Sequence, residues 1–178
     1  MTTPREQSLT EQLRWVHDML RRDLITVQEL ADGAADGTPP RELSAGLRAL
    51  QNRGPLFQLR VNCLSYCQAV GAHHHNEDTV LFPAVRRSAP QLAAAVDRLE
   101  ADHLTVAALL DRISGLANDV AARQARLDLA DALHELATNL LAHLEFEEAV
   151  LLPVLDSWST PAGRMPAEIR DELARRAS

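Results

Sequence analysis

The chain has 178 residues, of which 46% are apolar and only 3% aromatic. That suits one domain with a core of Leu, Ala and Val, built from packed helices rather than a β-sandwich. The formal net charge of −7, with all 18 basic residues Arg and none gathered in a block, excludes a basic nucleic-acid surface or an anionic-membrane patch.

The sequence carries no apolar leader and no apolar run long enough to span a bilayer, so a cytoplasmic protein with no membrane partner is expected. Cys63 and Cys67 are too few and too close for a disulfide framework, which fits a reducing compartment.

In chain order, Ser8-Leu-Thr-Glu11 reads as a capping box. It opens a helix with a stripe at Leu13, Val16, Leu20, Leu24 and Val27, and His17 lies inside that stripe. Gly33 to Pro40 reads as a loop, and Arg41 to Asn52 as a short extra helix. The second main helix is expected from about Leu56 to the Pro83 region, with Leu59, Cys63, Tyr66, Val70, His73, Glu77 and Leu81 on one stripe. Pro83 is placed where a helix bends or stops.

The chain restarts at Ser88-Ala-Pro90 as a third helix, whose stripe is Leu92, Val96, Leu99, His103, Val106, Leu110 and Ile113. Asn118-Asp119 breaks it. The fourth helix, from about Val120 to Leu155, carries Leu129, Leu133, Leu136, Leu140, His143, Glu147 and Leu151, and Pro153 is expected to repeat the role of Pro83. A short amphipathic helix follows from Pro166 to Arg175. The expected fold is all-α: an up-down-up-down four-helix bundle over residues 1–158, then a linker and tail helix over 159–178.

Two stretches share one pattern. Residues 73–83 read HHHNEDTVLFP and residues 143–153 read HLEFEEAVLLP. Both are His-x-x-x-Glu-[Asp/Glu]-x-x-Leu-[Phe/Leu]-Pro. Positions i and i+4 share a helix face, so His73 with Glu77, and His143 with Glu147, can each offer a nitrogen and a carboxylate to one point. His17 and His103 add an imidazole from each remaining helix.

A single His on an apolar stripe is ordinarily a satisfied core residue, and a single i,i+4 pair is ordinarily surface chemistry. Six such groups aimed at one bundle axis are different, because buried carboxylates and imidazoles cost several kcal/mol unless paired or bound to a cation. Two metals would satisfy them, with both glutamates bridging. The donor set suits non-haem iron first, and manganese or zinc as alternatives.

The neighbouring polar residues fail the face test. His74 and His75 are turned about 100° and 200° from His73, and Asp78 and Glu148 about 140° from the His of their own helix. They are expected to face solvent or to back the ligands, not to touch metal. His134 is likewise off the face of His143. Glu100 is expected to orient His103, since it stands three residues before it. Tyr66 has two readings. Either it is a core Tyr with a partner for its hydroxyl, or its phenol acts on a metal ligand or on bound oxygen.

The pattern His17, His73-x-x-x-Glu77, His103, His143-x-x-x-Glu147, with LFP and LLP after the pairs, resembles the hemerythrin-like family, or HHE cation-binding domain, over about residues 9 to 157. The resemblance implies a four-helix bundle holding two iron ions under an oxo or hydroxo bridge. The chain departs from oxygen-carrying members, which have His-x-x-x-His on the third helix, where Ala107 stands here. They have His-x-x-x-x-Asp on the fourth helix, where this chain has His143-x-x-x-Glu147.

With four imidazoles, both metals would keep an open position, which suits turnover of a small oxidant. The arrangement also resembles a subgroup of bacterial hemerythrin-like proteins, some of them associated with peroxide or nitric oxide chemistry, and that resemblance implies hydrogen peroxide disproportionation or nitric oxide chemistry as the expected function. The alternative is oxygen or iron binding and sensing without turnover. A structural zinc bundle fits least, since such sites are four-coordinate and Cys-rich.

Overall fold

The structure is a computed structural model that describes residues 8–37, 55–159 and 165–176. Helix α1 spans Leu9–Ala35, α2 Pro55–Asn76, a π-helical segment Glu77–Leu81, and α3 Phe82–Ser88. A 3-10 turn at Pro90–Leu92 leads into α4, Ala93–Asn118, then α5, Arg123–Ser159, and the tail helix α6, Ala167–Arg176. The short helix expected at 41–52 lies outside the described residues.

Local chemistry sets the helix ends. The capping box forms as expected: the Ser8 amide donates to Glu11 Oε2 at 2.8 Å, and the Glu11 amide donates to Ser8 Oγ at 3.2 Å. The first helix outlasts the expected stop at Gly33 and runs to Ala35. It ends where Gly37 takes a φ of 76°, a left-handed conformation that glycine adopts without a Cβ clash.

The chain divides into two compact units. The first holds the described residues up to Met19, Ala72–Leu104, and those from Leu141 on; the second holds those of Leu20–Gly71 and Thr105–Leu140. The first unit thus takes the N-terminal part of α1, the C-terminal end of α2, the N-terminal part of α4 and the C-terminal part of α5. That alternation is the mark of up-down-up-down helices. Its core contains Leu13, Phe82, Val85, Val96, Leu99, Leu151, Leu155 and Trp158. Ile169 of α6 joins this core, Arg87 pairs with Glu168, and α6 packs on the π segment. In the second unit Leu20, Leu24, Leu59, Ile113, Leu129, Leu133, Leu136 and Leu140 are fully buried.

The two prolines of the repeat do not play the same part. Pro153 sits inside an unbroken α5, beside an exposed turn where a carbonyl without its helical partner can turn to water. Ahead of Pro83 the backbone widens, so that the Phe82 amide bonds back to the Glu77 carbonyl, five residues away rather than four. The extra residue shifts the buried phase by one position. Leu151 and Phe82 are both fully buried, whereas Leu81, at the offset of Leu151, is only half-buried. The sequence stripe had placed Leu81 in the core; the π turn puts Phe82 there instead.

Candidate metal centre

The first unit contains every sequence-expected ligand. His17 comes from α1, His73 from the end of α2, Glu77 from the start of the π segment, His103 from α4, and His143 and Glu147 from α5. All are 4% exposed or less, except His73, whose side chain is 10% exposed. They form two groups whose ligating atoms lie within 4.8 Å of one another: His17, His73, Glu77 and Glu147 in one, and His74, Glu77, His103 and His143 in the other.

The carboxylates lie between the groups. Glu77 Oε1 is 3.1 Å from His73 Nε2 and its Oε2 is 3.5 Å from His103 Nε2. Glu147 Oε2 is 3.3 Å from His17 Nε2 and 3.6 Å from His143 Nε2.

His74 corrects the sequence reading. Expected to face solvent or to back the ligands, it is 5% exposed, and its ring stacks on His103 at 3.9 Å and 8°. From His73 the His74 side chain is turned about 100°. Measured from Glu77, His73 and His74 stand about 40° and 60° to either side, and a core-facing stripe of about 100° admits both. The repeat held a signal for this. The residue after His143 is Leu144, fully buried, so the same offset faces inward in both halves. His74 thus adds a fifth buried imidazole beside the four that the sequence singled out, in a group with Glu77, His103 and His143 that could hold a metal ion.

The other polar residues sort as follows. Asp78 Oδ1 lies 2.8 Å from His103 Nδ1, and Glu148 Oε1 lies 2.8 Å from His17 Nδ1. Glu100 does not orient His103; it accepts from Arg86 at 2.7 Å, because that guanidinium stands between it and Asp97. His134 lies in the second unit, where it meets Asp32 at 3.0 Å. Tyr66, also in the second unit, is buried, and its hydroxyl donates to the Leu20 carbonyl at 3.2 Å. Cys63 and Cys67 are buried free thiols, and burial pushes the Cys63 thiol up to about 12, which keeps it protonated and unreactive.

The donor set fits cations. Both oxygens of Glu77, both of Glu147, His74 Nε2 and His143 Nδ1 are buried without a hydrogen-bond partner. Native interiors rarely leave such atoms unpaired. Burial lowers His73 to about 4 and also depresses His74 and His143, leaving neutral lone pairs. Burial, and then the neighbouring Glu147 charge, push Glu77 well above the usual carboxylate range. Burial pushes Glu147 up too, but His17, His73 and His143 outweigh it and hold this carboxyl low. The arrangement thus combines neutral imidazole donors with one carboxylate held as the anion, a set complementary to added positive charge.

No helix among the described residues is long and apolar enough to cross a membrane. No curated protein matches the chain. The sequence profile of the hemerythrin HHE cation-binding domain matches residues 8–155. With that match over most of its length, and with imidazole and carboxylate groups gathered as described, the chain belongs to the hemerythrin family of HHE cation-binding domains.

Proposed function

We propose that this chain is a non-haem diiron protein that takes up a small oxidant at one metal. Dioxygen, hydrogen peroxide and nitric oxide form the candidate class. Iron would supply a redox-active Lewis acid able to bind such a molecule. His74, His103 and His143 would hold one ion and His17 and His73 the other, with Glu77 and Glu147 between them.

The carrying observation is the inequality of the two groups. One has three imidazoles and the other two. If both carboxylates bridge, the His17–His73 position has one protein donor fewer. It also has the only partly exposed ligand of the set, since the His73 side chain is 10% exposed while His17 and Glu147 are at 0%. A small molecule therefore has both a place and an approach on that side. In the same unit Leu99, Leu151 and Phe82 are fully buried, and such apolar packing excludes bulk water.

One saturated and one unsaturated position favours uptake at a single metal over joint reaction at two. This moves the weight from peroxide or nitric oxide turnover towards reversible binding or sensing.

The test is metal content of the purified chain, with optical spectra before and after oxygen, peroxide and nitric oxide. About two irons per chain, with a reversible spectral change and no sustained consumption, is expected. Sustained gas evolution from peroxide would instead establish turnover. Absence of iron after iron-replete expression and anaerobic reconstitution would sink the diiron reading, and bound manganese or zinc would redirect it.

A further inference from the structure

The repeat contains one feature that the ligand set does not use: each bridging glutamate is followed directly by a second acid, Glu77-Asp78 and Glu147-Glu148. We propose that Asp78 and Glu148 are positioning residues, which lock His103 and His17 as Nδ1–H tautomers and so aim a bare Nε2 lone pair at each metal position. This rests on the dinuclear reading above for its consequence, but not for its geometry.

A helix turns about 100° per residue, so the acid after a core-facing glutamate points towards a neighbouring helix rather than the axis. Asp78 reaches from the π segment to His103 on α4, and Glu148 reaches from α5 to His17 on α1, each at 2.8 Å from Nδ1. An ionised carboxylate can only accept, so the imidazole must donate from Nδ1. In a neutral ring that leaves Nε2 without a proton, although Nε2–H is the commoner tautomer of free histidine.

The two ring pairs fit this assignment, while Glu147 Oε2, 3.3 Å from His17 Nε2, is a contact that favours a proton there. His17 Nε2 lies 3.2 Å from His73 Nε2, and His103 Nε2 lies 3.2 Å from His143 Nε2. Two facing ring nitrogens at that distance need one proton between them. With His17 and His103 bare at Nε2, His73 and His143 are the donors. His143 must then be bare at Nδ1. That atom indeed has no hydrogen-bond partner, and the nearest carboxylate, Asp102, stays 3.7 Å away, too far for a hydrogen bond.

The metal-free protein thus has two ligands ready and two whose ring proton must move from Nε2 to Nδ1 on loading. Each acidic dipeptide serves both ends of the task. Its first residue meets the metals and its second fixes a ligand on another helix.

The test begins on the metal-free full chain, with long-range proton–nitrogen NMR of the imidazoles. His17 and His103 are expected as Nδ1–H, and His73 and His143 as Nε2–H. In Asp78→Ala only His103 should revert to Nε2–H, and in Glu148→Ala only His17. Asp78→Asn and Glu148→Gln keep an acceptor and should restore the Nδ1–H form. Cobalt(II) affinity, read by chelator competition, should fall by about 10–100-fold in the Ala variants, with the amide variants between them and the parent.

His17 or His103 found as Nε2–H in the parent chain overturns the proposal, as does an Ala variant that folds and leaves its facing tautomer unchanged. Should an Ala variant fail to fold, the parent and amide spectra still decide. Correct tautomers in a chain that takes up no cobalt would uphold the positioning role and refute the dinuclear reading.

Discussion

Replacing His74 with Leu tests the five-imidazole centre and its cost to the fold in one variant. His74 is 5% exposed and its Nε2 has no hydrogen-bond partner. An unpaired buried polar atom costs about 1–3 kcal/mol. The same offset in the other half of the repeat holds Leu144 at 0% exposure, which is why Leu is the substitute chosen. The ring's stack on His103 at 3.9 Å would be lost, which offsets about half of that gain on the scale of about 0.5–1.5 kcal/mol for aromatic pairs.

The metal-free His74→Leu protein should therefore be as stable as the parent or more stable, by up to about 2 kcal/mol. At about 2–4 °C per kcal/mol for a chain of this size, the melting temperature should rise by no more than about 4–8 °C. Metal content should fall, the three-imidazole position emptying first. The assays are urea and thermal unfolding of the chelator-treated protein, and metal analysis after iron-replete expression. A variant that keeps full metal while losing several kcal/mol of stability would refute the reasoning, for it would make His74 a packing residue and restore the four-imidazole count.

Glu77→Gln should also lose metal while leaving the metal-free fold intact, since burial already favours an uncharged group at that position; retained iron would remove Glu77 from the ligand set. Metal titration in buffers of different ionisation heat should show about one proton released as Glu77 gives up the proton that burial holds on it, and zero release would contradict that.

The metal-free chain should weaken in acid. His73 is held at about 4 when folded and titrates near 6.5 when unfolded. The unfolded state therefore binds more protons between those values, and stability falls as pH drops from about 6.5 to about 4, by about 3 kcal/mol from this group. A flat urea midpoint from pH 7 to 4.5 would count against it. Phe82→Ala, at a fully buried ring 5.2 Å from His103, should cost about 3–5 kcal/mol and reduce metal affinity together with stability. Tyr66→Phe should cost about 1 kcal/mol for its bond to the Leu20 carbonyl and leave metal content and spectra unchanged; an altered spectrum would give the phenol a part in the site.

Helical periodicity made the four long helices and their buried faces legible, because a stripe at 3.6-residue spacing needs no knowledge of its partner. The capping box at Ser8 and Glu11 was equally local. Six ligand candidates could be read for the same reason: His and Glu four apart share a face whatever surrounds them.

What the sequence could not set was the phase between helices. Whether His74 looks inward depends on where the other helices stand around Glu77, and only the packed unit fixes that sector. The π turn before Pro83 depends likewise on tertiary context, since Pro153 at the same offset interrupts nothing. The partners of the imidazole Nδ1 atoms cross between helices 25 and 131 residues apart in the chain. A wheel drawn for one helix contains no such distance, so Glu100 looked like the partner of His103 until the fold gave that place to Asp78.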